Sequence, residues 1–235
     1  MDNSLPKPRL NKFIAERLGF SRREADELIS SGKITVNHKP AQLGARINKN
    51  DEVCYNKKII PFDTEFTYVA FHKPVGYVCS RRPQGSTPTL FTLLPAKYQK
   101  LKTVGRLDKD SSGLILLTND GDFAYQMTHP KFRKNKVYEV SLDHALEPLH
   151  QQMISDFGIK LPDGISKFKI IRPPSQNNTQ QNSYTVIIAE GRNRQIRRTF
   201  AALGYKVTRL HRIQFGPYML GELPEGIYQE ITIKL

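Results

Sequence analysis

Residues 114–117, Leu-Ile-Leu-Leu, stand between a polar loop and an Asn-Asp-Gly turn at 119–121. An apolar run bounded by turn signals predicts a short strand in the core of a sheet. The loop before it, Val104-Gly105-Arg106-Leu107-Asp108-Lys109-Asp110-Ser111-Ser112-Gly113, sets Asp108 close to basic side chains and five residues before a glycine. A carboxylate there can be held rigidly by the strand while it faces a groove. By spacing alone, Asp108 reads first as a solvated turn aspartate, a residue type common in loops.

The ordered run Gly-Arg-Leu-Asp-x-x-Ser-x-Gly-Leu-Ile-Leu-Leu-Thr-Asn-Asp-Gly over 105–121 resembles the catalytic motif of pseudouridine synthases. It is most similar to the Rsu branch, which modifies single uridines in ribosomal RNA. Ser111 stands where that family usually has Thr, so the hydroxyl is kept.

The chain has 235 residues, enough for one large domain or two smaller ones with a sizeable core. A net charge of +14 favours a polyanionic partner, nucleic acid first and an anionic membrane surface second. No apolar run approaches a spanning helix, and the start, Met1 to Pro6, has no stretch of signal-peptide type. Cys54 and Cys79 are too few for a disulfide framework or a zinc site. A cytoplasmic, reduced protein without metal or cofactor is expected, with no membrane association.

Residues 1–62 read as a first domain with a short linker. Leu10, Phe13, Ile14 and Leu18 have helical spacing, and Ser21 with Glu24 forms a capping box that opens a second helix closed by Gly32. Ile34 to Val36 is a short strand, and another begins at Asp51 to Val53. Through residue 60 there are twelve Lys or Arg against seven Asp or Glu, a net of +5. Arg9, Lys12, Arg22, Arg23 and Lys33 lie near helix starts or just before a strand, where phosphate contacts are readily built. An ordinary solvated helix face explains the same charges. The segments Arg-Leu-Asn-Lys-Phe-Ile-Ala, Ser-Arg-Arg-Glu-Ala-Asp-Glu-Leu-Ile and Gly-Lys-Ile-Thr-Val-Asn resemble the RNA-binding domain first seen in ribosomal protein S-four. Lys57 to Thr64 reads as a hinge interrupted by Pro61.

Residues 63–235 read as the second domain. Thr67 to Phe71 is a strand, followed by His72-Lys73-Pro74-Val75-Gly76, which resembles the family's Asn-Lys-Pro-x-Gly start. His72 replaces the usual Asn and reads as a hydrogen-bonding spacer. Phe123, Tyr125, Met127 and His129 precede the basic tract Lys131 to Lys136, and Val137 to Leu142 is a strand. Tyr138 in isolation is a packing residue. Lys136-Val137-Tyr138-Glu139-Val140 resembles a family segment whose tyrosine stacks on the target base. The polar stretch 174–183 reads as a loop joining two strands.

Tyr184 to Ala189 then forms a strand that enters a glycine turn and a helix closed by Gly204. From Glu190 to Arg212 there are seven Lys or Arg and one acid. Arginines at a glycine turn and on a first helical turn can fork onto phosphates. The segment 190–198 resembles the family's Glu-Gly-x-Asn-Arg-Gln-Ile-Arg-Arg motif.

The resemblance implies an α+β fold: a small α/β RNA-binding domain, then a larger catalytic domain with a mixed, largely antiparallel sheet and a central cleft. It implies isomerisation of uridine to pseudouridine in ribosomal RNA, with a lean to the large subunit. Asp108 is the implied nucleophile, Arg197 the basic residue that pairs with it, and Tyr138 the stacking residue. Arg106 is the candidate to fill the space left by the extruded base, and Arg192, Asn193, Arg194 and Arg198 are expected to contact RNA. The partner is ribosomal RNA or a precursor particle, with transfer RNA as the alternative substrate, and a monomer is expected. Two readings from other classes are a non-catalytic RNA-binding or ribosome-assembly protein and an RNA hydrolase. The last would ordinarily need a carboxylate cluster or a His pair that the sequence lacks.

Overall fold

The computed structural model describes residues 7–63, 65–172 and 182–233. The chain divides into two compact units, one running to Thr67 and taking in 119–121, the other comprising 68–118 and the residues from Asp122 onward.

In the first unit, α1 (Leu10–Leu18) ends at Gly19 in a left-handed conformation, and α2 (Arg22–Ser30) opens with the expected capping box between Ser21 and Glu24. Four short strands follow: β1 (Ile34–Val36), β2 (Lys39–Pro40), β3 (Val53–Tyr55) and β4 (Lys58–Ile59), in the order β2-β1-β3-β4. Leu10, Phe13, Ile14, Ala25, Ile29, Ile34, Val53 and Ile60 make its core. The expected hinge is corrected here. Lys58–Ile59 pairs with β3, Ile60 is buried, and the Phe62 ring lies 4.6 Å from Phe13. A core this small gains from every apolar residue it can cover, so the chain stays with it through Phe62.

The second unit is built on a nine-stranded sheet among the described residues. Its strands are β5 (Tyr68–Lys73), β6 (Lys102–Val104), β7 (Ser112–Thr118), β8 (Lys136–Leu142), β11 (Lys169–Ile171), β12 (Ser183–Ile188), β13 (Val207–Phe215), β14 (Tyr218–Met219) and β15 (Tyr228–Glu230). A separate hairpin pairs β9 (Ile159–Leu161) with β10 (Gly164–Ser166). Helices α3 (Gly121–Thr128), α4 (Pro148–Gln152) and α5 (Gln195–Ala201) accompany these strands, with shorter helical turns between them. The main order is β11-β12-β8-β13-β7-β5-β15, and only β13 with β7 is parallel. The fold is therefore α+β with a mixed, largely antiparallel sheet. Of the polar stretch 174–183, residues 174–181 lie outside the described residues.

Strand β7 is buried throughout. Ile115 and Leu117 join one core cluster with Tyr138, Val140, Ile196 and Phe200, while Leu114 and Leu116 join another with Phe123, Met127 and Phe215. Period-two alternation thus feeds both faces of a sheet that is covered on both sides. At its start Gly113 has φ +107°, and a Cβ there would lie 2.2 Å from the Arg212 carbonyl oxygen. No other residue permits the close β7–β13 pairing that fixes the loop just before it.

Candidate active site

Asp108 lies in the loop between β6 and β7. Lys73, at the end of β5, is fully buried beneath that loop. Its Nζ donates to the carbonyls of Pro74 at 2.9 Å, Asp108 at 3.1 Å and Ser111 at 2.7 Å. Burial pushes the Lys73 pKa down, against the pull of Asp108, Asp110 and Glu225. The loop is tied further by the Leu107 N–H to Cys79 Sγ, by Cys79 Sγ to Leu107 O, both at 3.3 Å, and by the Gly76 N–H to Lys109 O at 2.8 Å. The backbone carrying Asp108 is thereby fixed while its side chain stays partly exposed.

The helix that follows the glycine turn supplies the cations. Arg194, left-handed at φ 44°, is the N-cap of α5. Its guanidinium forks onto the Asp110 carboxylate with both contacts at 2.9 Å, and Nη1 lies 3.6 Å from Asp108 Oδ2. The Arg194 fork holds the Asp110 carboxyl below its usual range. Arg197 does not form the expected pair with Asp108. Its Nη2 donates to Asp110 O at 2.7 Å and to Ser111 Oγ at 3.4 Å, and its Nε is 3.4 Å from Asp110 Oδ2. The cation nearest Asp108 is thus Arg194, and Arg197 holds the loop through Asp110. Three residues apart at the start of α5, the two arginines share a face and meet on Asp110.

Arg192 and Arg198, expected to contact RNA, both meet Asp163. Arg192 Nη1 is 3.1 Å from Asp163 Oδ1, its Nη2 donates to Ile165 O at 2.8 Å, and Arg198 Nη2 donates to Asp163 Oδ2 at 2.6 Å. These bonds fasten the β9–β10 hairpin to the start of α5. Gln195 adds a bond to Ser166 Oγ at 3.1 Å and another to Glu190.

A cleft of about 360 Å³ brings the expected residues together: Asp108, Arg106, Tyr138, Arg192, Asn193 and Arg194 all line it. Arg106 and Asn193 are exposed, whereas Tyr138 is buried on β8 beside β13. Two further cations line the cleft. Arg212 is 1% exposed, its Nε donates to Leu114 O at 2.7 Å, and its Nη2 is buried without a hydrogen-bond partner. Lys136 Nζ stands 5.2 Å over the Phe215 ring, and burial with the nearby Arg212 charge lowers its pKa to about 8. Lys73, Asp110 and Arg212 drew no role from the sequence. A signal was present for Lys73, a lysine closing a strand whose first four residues, Tyr68 to Phe71, are buried. His72 fits its reading as a spacer, with Nδ1 2.8 Å from Leu223 O.

Arg9, Lys12, Arg22, Arg23 and Lys33 belong to the first unit. All but Lys12 are exposed, and Lys12 lies 3.9 Å from Glu16. Among the described residues no helix is long and apolar enough to cross a membrane.

The loop of Asp108, buttressed by the arginines of α5, thus lies beside buried Tyr138 on one cleft. The family described as RNA pseudouridylate synthase matches residues 67–202, and the S4 domain matches residues 8–53. The chain belongs to the RNA pseudouridylate synthase family, preceded by an S4 domain. It is 35% identical over 231 residues to the ribosomal small subunit pseudouridine synthase A of Pasteurella multocida, covering 95% of this chain and 96% of that one. It is 34% identical over 228 residues to the ribosomal large subunit pseudouridine synthase B of Bacillus subtilis, covering 95% and 92%. A crystal structure of a pseudouridylate synthase superposes with a TM-score of 0.68 at 32% identity, over 95% of this chain and 96% of the other.

Proposed function

We propose that this chain isomerises uridine to pseudouridine at one position of ribosomal RNA, with Asp108 as nucleophile. The observation that carries the reading is the convergence of Asp108, Arg194 and Tyr138 on a single cleft. Near-full-length relatives named for ribosomal RNA support the substrate class.

In this reading the target uridine leaves its helix, at a cost of a few kcal/mol, and enters the cleft. Arg106 fills the vacated space. Arg194, 3.6 Å from Asp108, orients its carboxylate. Asp108 attacks the ribose or the base, and the N1–C1′ bond breaks. Tyr138 stacks on the base as it turns. The C5–C1′ bond forms, the bond to Asp108 breaks to return the free carboxylate, the proton on C5 leaves with the help of Tyr138, and N1 gains one. Lys136 and Arg212 offset the negative charge that builds on the detached uracil. Lys73, Asp110 and Arg197 position the loop and touch no reacting atom. The exposed cations of the S4 domain contact phosphates.

The motif around Asp108 leans toward the large subunit, and matching relatives are named for both. The test is a map of pseudouridines across ribosomal and transfer RNA from a strain lacking this protein, beside its parent. One position in ribosomal RNA is expected to be lost, which also assigns the subunit. Loss confined to transfer RNA would keep the chemistry and overturn the substrate.

A further inference from the structure

Between Phe123 and Tyr138 the chain carries Lys131, Arg133, Lys134 and Lys136 and no acid. Phe123 and Met127 of α3 turn inward and are buried. Tyr125 turns outward and stays 46% exposed, and Phe132, in the short turn after the helix, stays 38% exposed. Their rings meet edge to face at 5.8 Å, with the His129 ring 4.6 Å from Tyr125. The Lys131 ammonium sits over both, 5.3 Å from the Tyr125 centroid and 4.6 Å from that of Phe132. Thr128 and Pro130, between these aromatics in the chain, line the cleft that holds Asp108.

We propose that Tyr125, Phe132 and Lys131 form a stacking platform for an unpaired nucleotide neighbouring the target uridine. The proposal rests on the RNA reading above and adds a second contact to it. Exposed aromatic faces with cations beside them match the two parts of a single-stranded nucleotide, the π-face of its base and its phosphate. Thr128 and Pro130 carry the chain from the platform to the cleft, with no acid between 124 and 137, so a strand whose uridine has entered the cleft meets the rings next. Extrusion of that uridine also leaves its neighbours with an unstacked face, which the rings cover. A duplex offers its phosphates alone, so stacking separates the two kinds of RNA.

The experiment uses the full chain and two probes: fluorescein-labelled dodecauridylate and an RNA duplex of the same length, both followed by anisotropy. Variants are Tyr125→Leu with Phe132→Leu, which keep apolar bulk without a ring, and Lys131→Gln. These side chains are at the surface, and melting curves confirm the fold. The double variant is expected to bind dodecauridylate about fivefold or more weakly, with its duplex affinity unchanged. Lys131→Gln is expected to reduce the salt dependence of dodecauridylate binding by about one phosphate contact. An equal loss on both probes would reduce the patch to phosphate contact and overturn the platform. No loss on either would also overturn it and leave the surface to a protein partner. Because the readout is binding, a failed platform leaves the role of Asp108 in turnover standing.

Discussion

Arg22, Arg23 and Lys33 of the first unit are exposed and make no ion pair among the described residues, whereas Arg192, Arg194, Arg197 and Arg198 of the second each meet an acid. The first group remains available to a polyanion, and its effect on binding is screened by salt. The second fixes geometry: Asp163 ties α5 to the β9–β10 hairpin, and Asp110 ties it to the loop of Asp108. Basic clusters of similar composition thus differ in the acids that fold onto them.

If that contrast is right, breaking the Arg194 pair costs rate rather than affinity. Arg194→Gln is expected to lower kcat roughly 10²-fold, the scale of a small misplacement of a catalytic group. RNA affinity should stay within about twofold, because this arginine is already committed to Asp110 and Asp108. Single-turnover kinetics beside filter binding separate the two, and a large affinity loss with normal kcat would reverse the assignment.

A smaller effect is expected from pH. Lys136 has a pKa of about 8 in the folded chain against an ordinary 10.5. Raising the pH through about 8 removes a charge from the cleft, so turnover should fall by about tenfold between pH 7 and pH 9. Lys136→Arg should flatten that fall. Stability moves the other way. The unfolded chain binds the proton more tightly, so between about 8 and 10.5 this group makes the fold more stable as pH rises. Denaturant titrations at pH 8 and pH 10 read the sign.

The smallest effect belongs to the first unit. Arg22→Gln with Arg23→Gln should weaken RNA binding a few-fold, reduce the slope of log affinity against log salt by about one to two, and leave kcat unchanged. An unchanged slope would place those arginines on an ordinary solvated face.

Much of this was legible in local sequence. Residues 105–121 marked the loop and the buried strand, and Ser21 with Glu24 marked a helix start. Asp108 and Tyr138, far apart in the chain, do share one cleft. The partners of the arginines were not legible. Asp110 lies 84 residues before Arg194, and Asp163 lies 35 before Arg198, so spacing within 190–198 could not reveal them. Lys73 escaped notice for the same reason, since its carbonyl partners at Asp108 and Ser111 are 35 and 38 residues away. Helix α3 starts on Gly121, within the turn that ends β7, and Asn-Asp-Gly hid it. The strand ending at Ile59 was hidden by the lysines and proline around it.

The most direct test of the account restores the gene to the deletion strain as Asp108→Asn and maps pseudouridine again. This substitution keeps the size of the side chain while removing its charge and nucleophile. The position lost in the deletion is expected to stay unmodified, with turnover of the purified variant down roughly 10⁴-fold or more and RNA binding largely intact. Restored pseudouridine at that position would contradict it, and the chemistry would then belong to another group in the cleft.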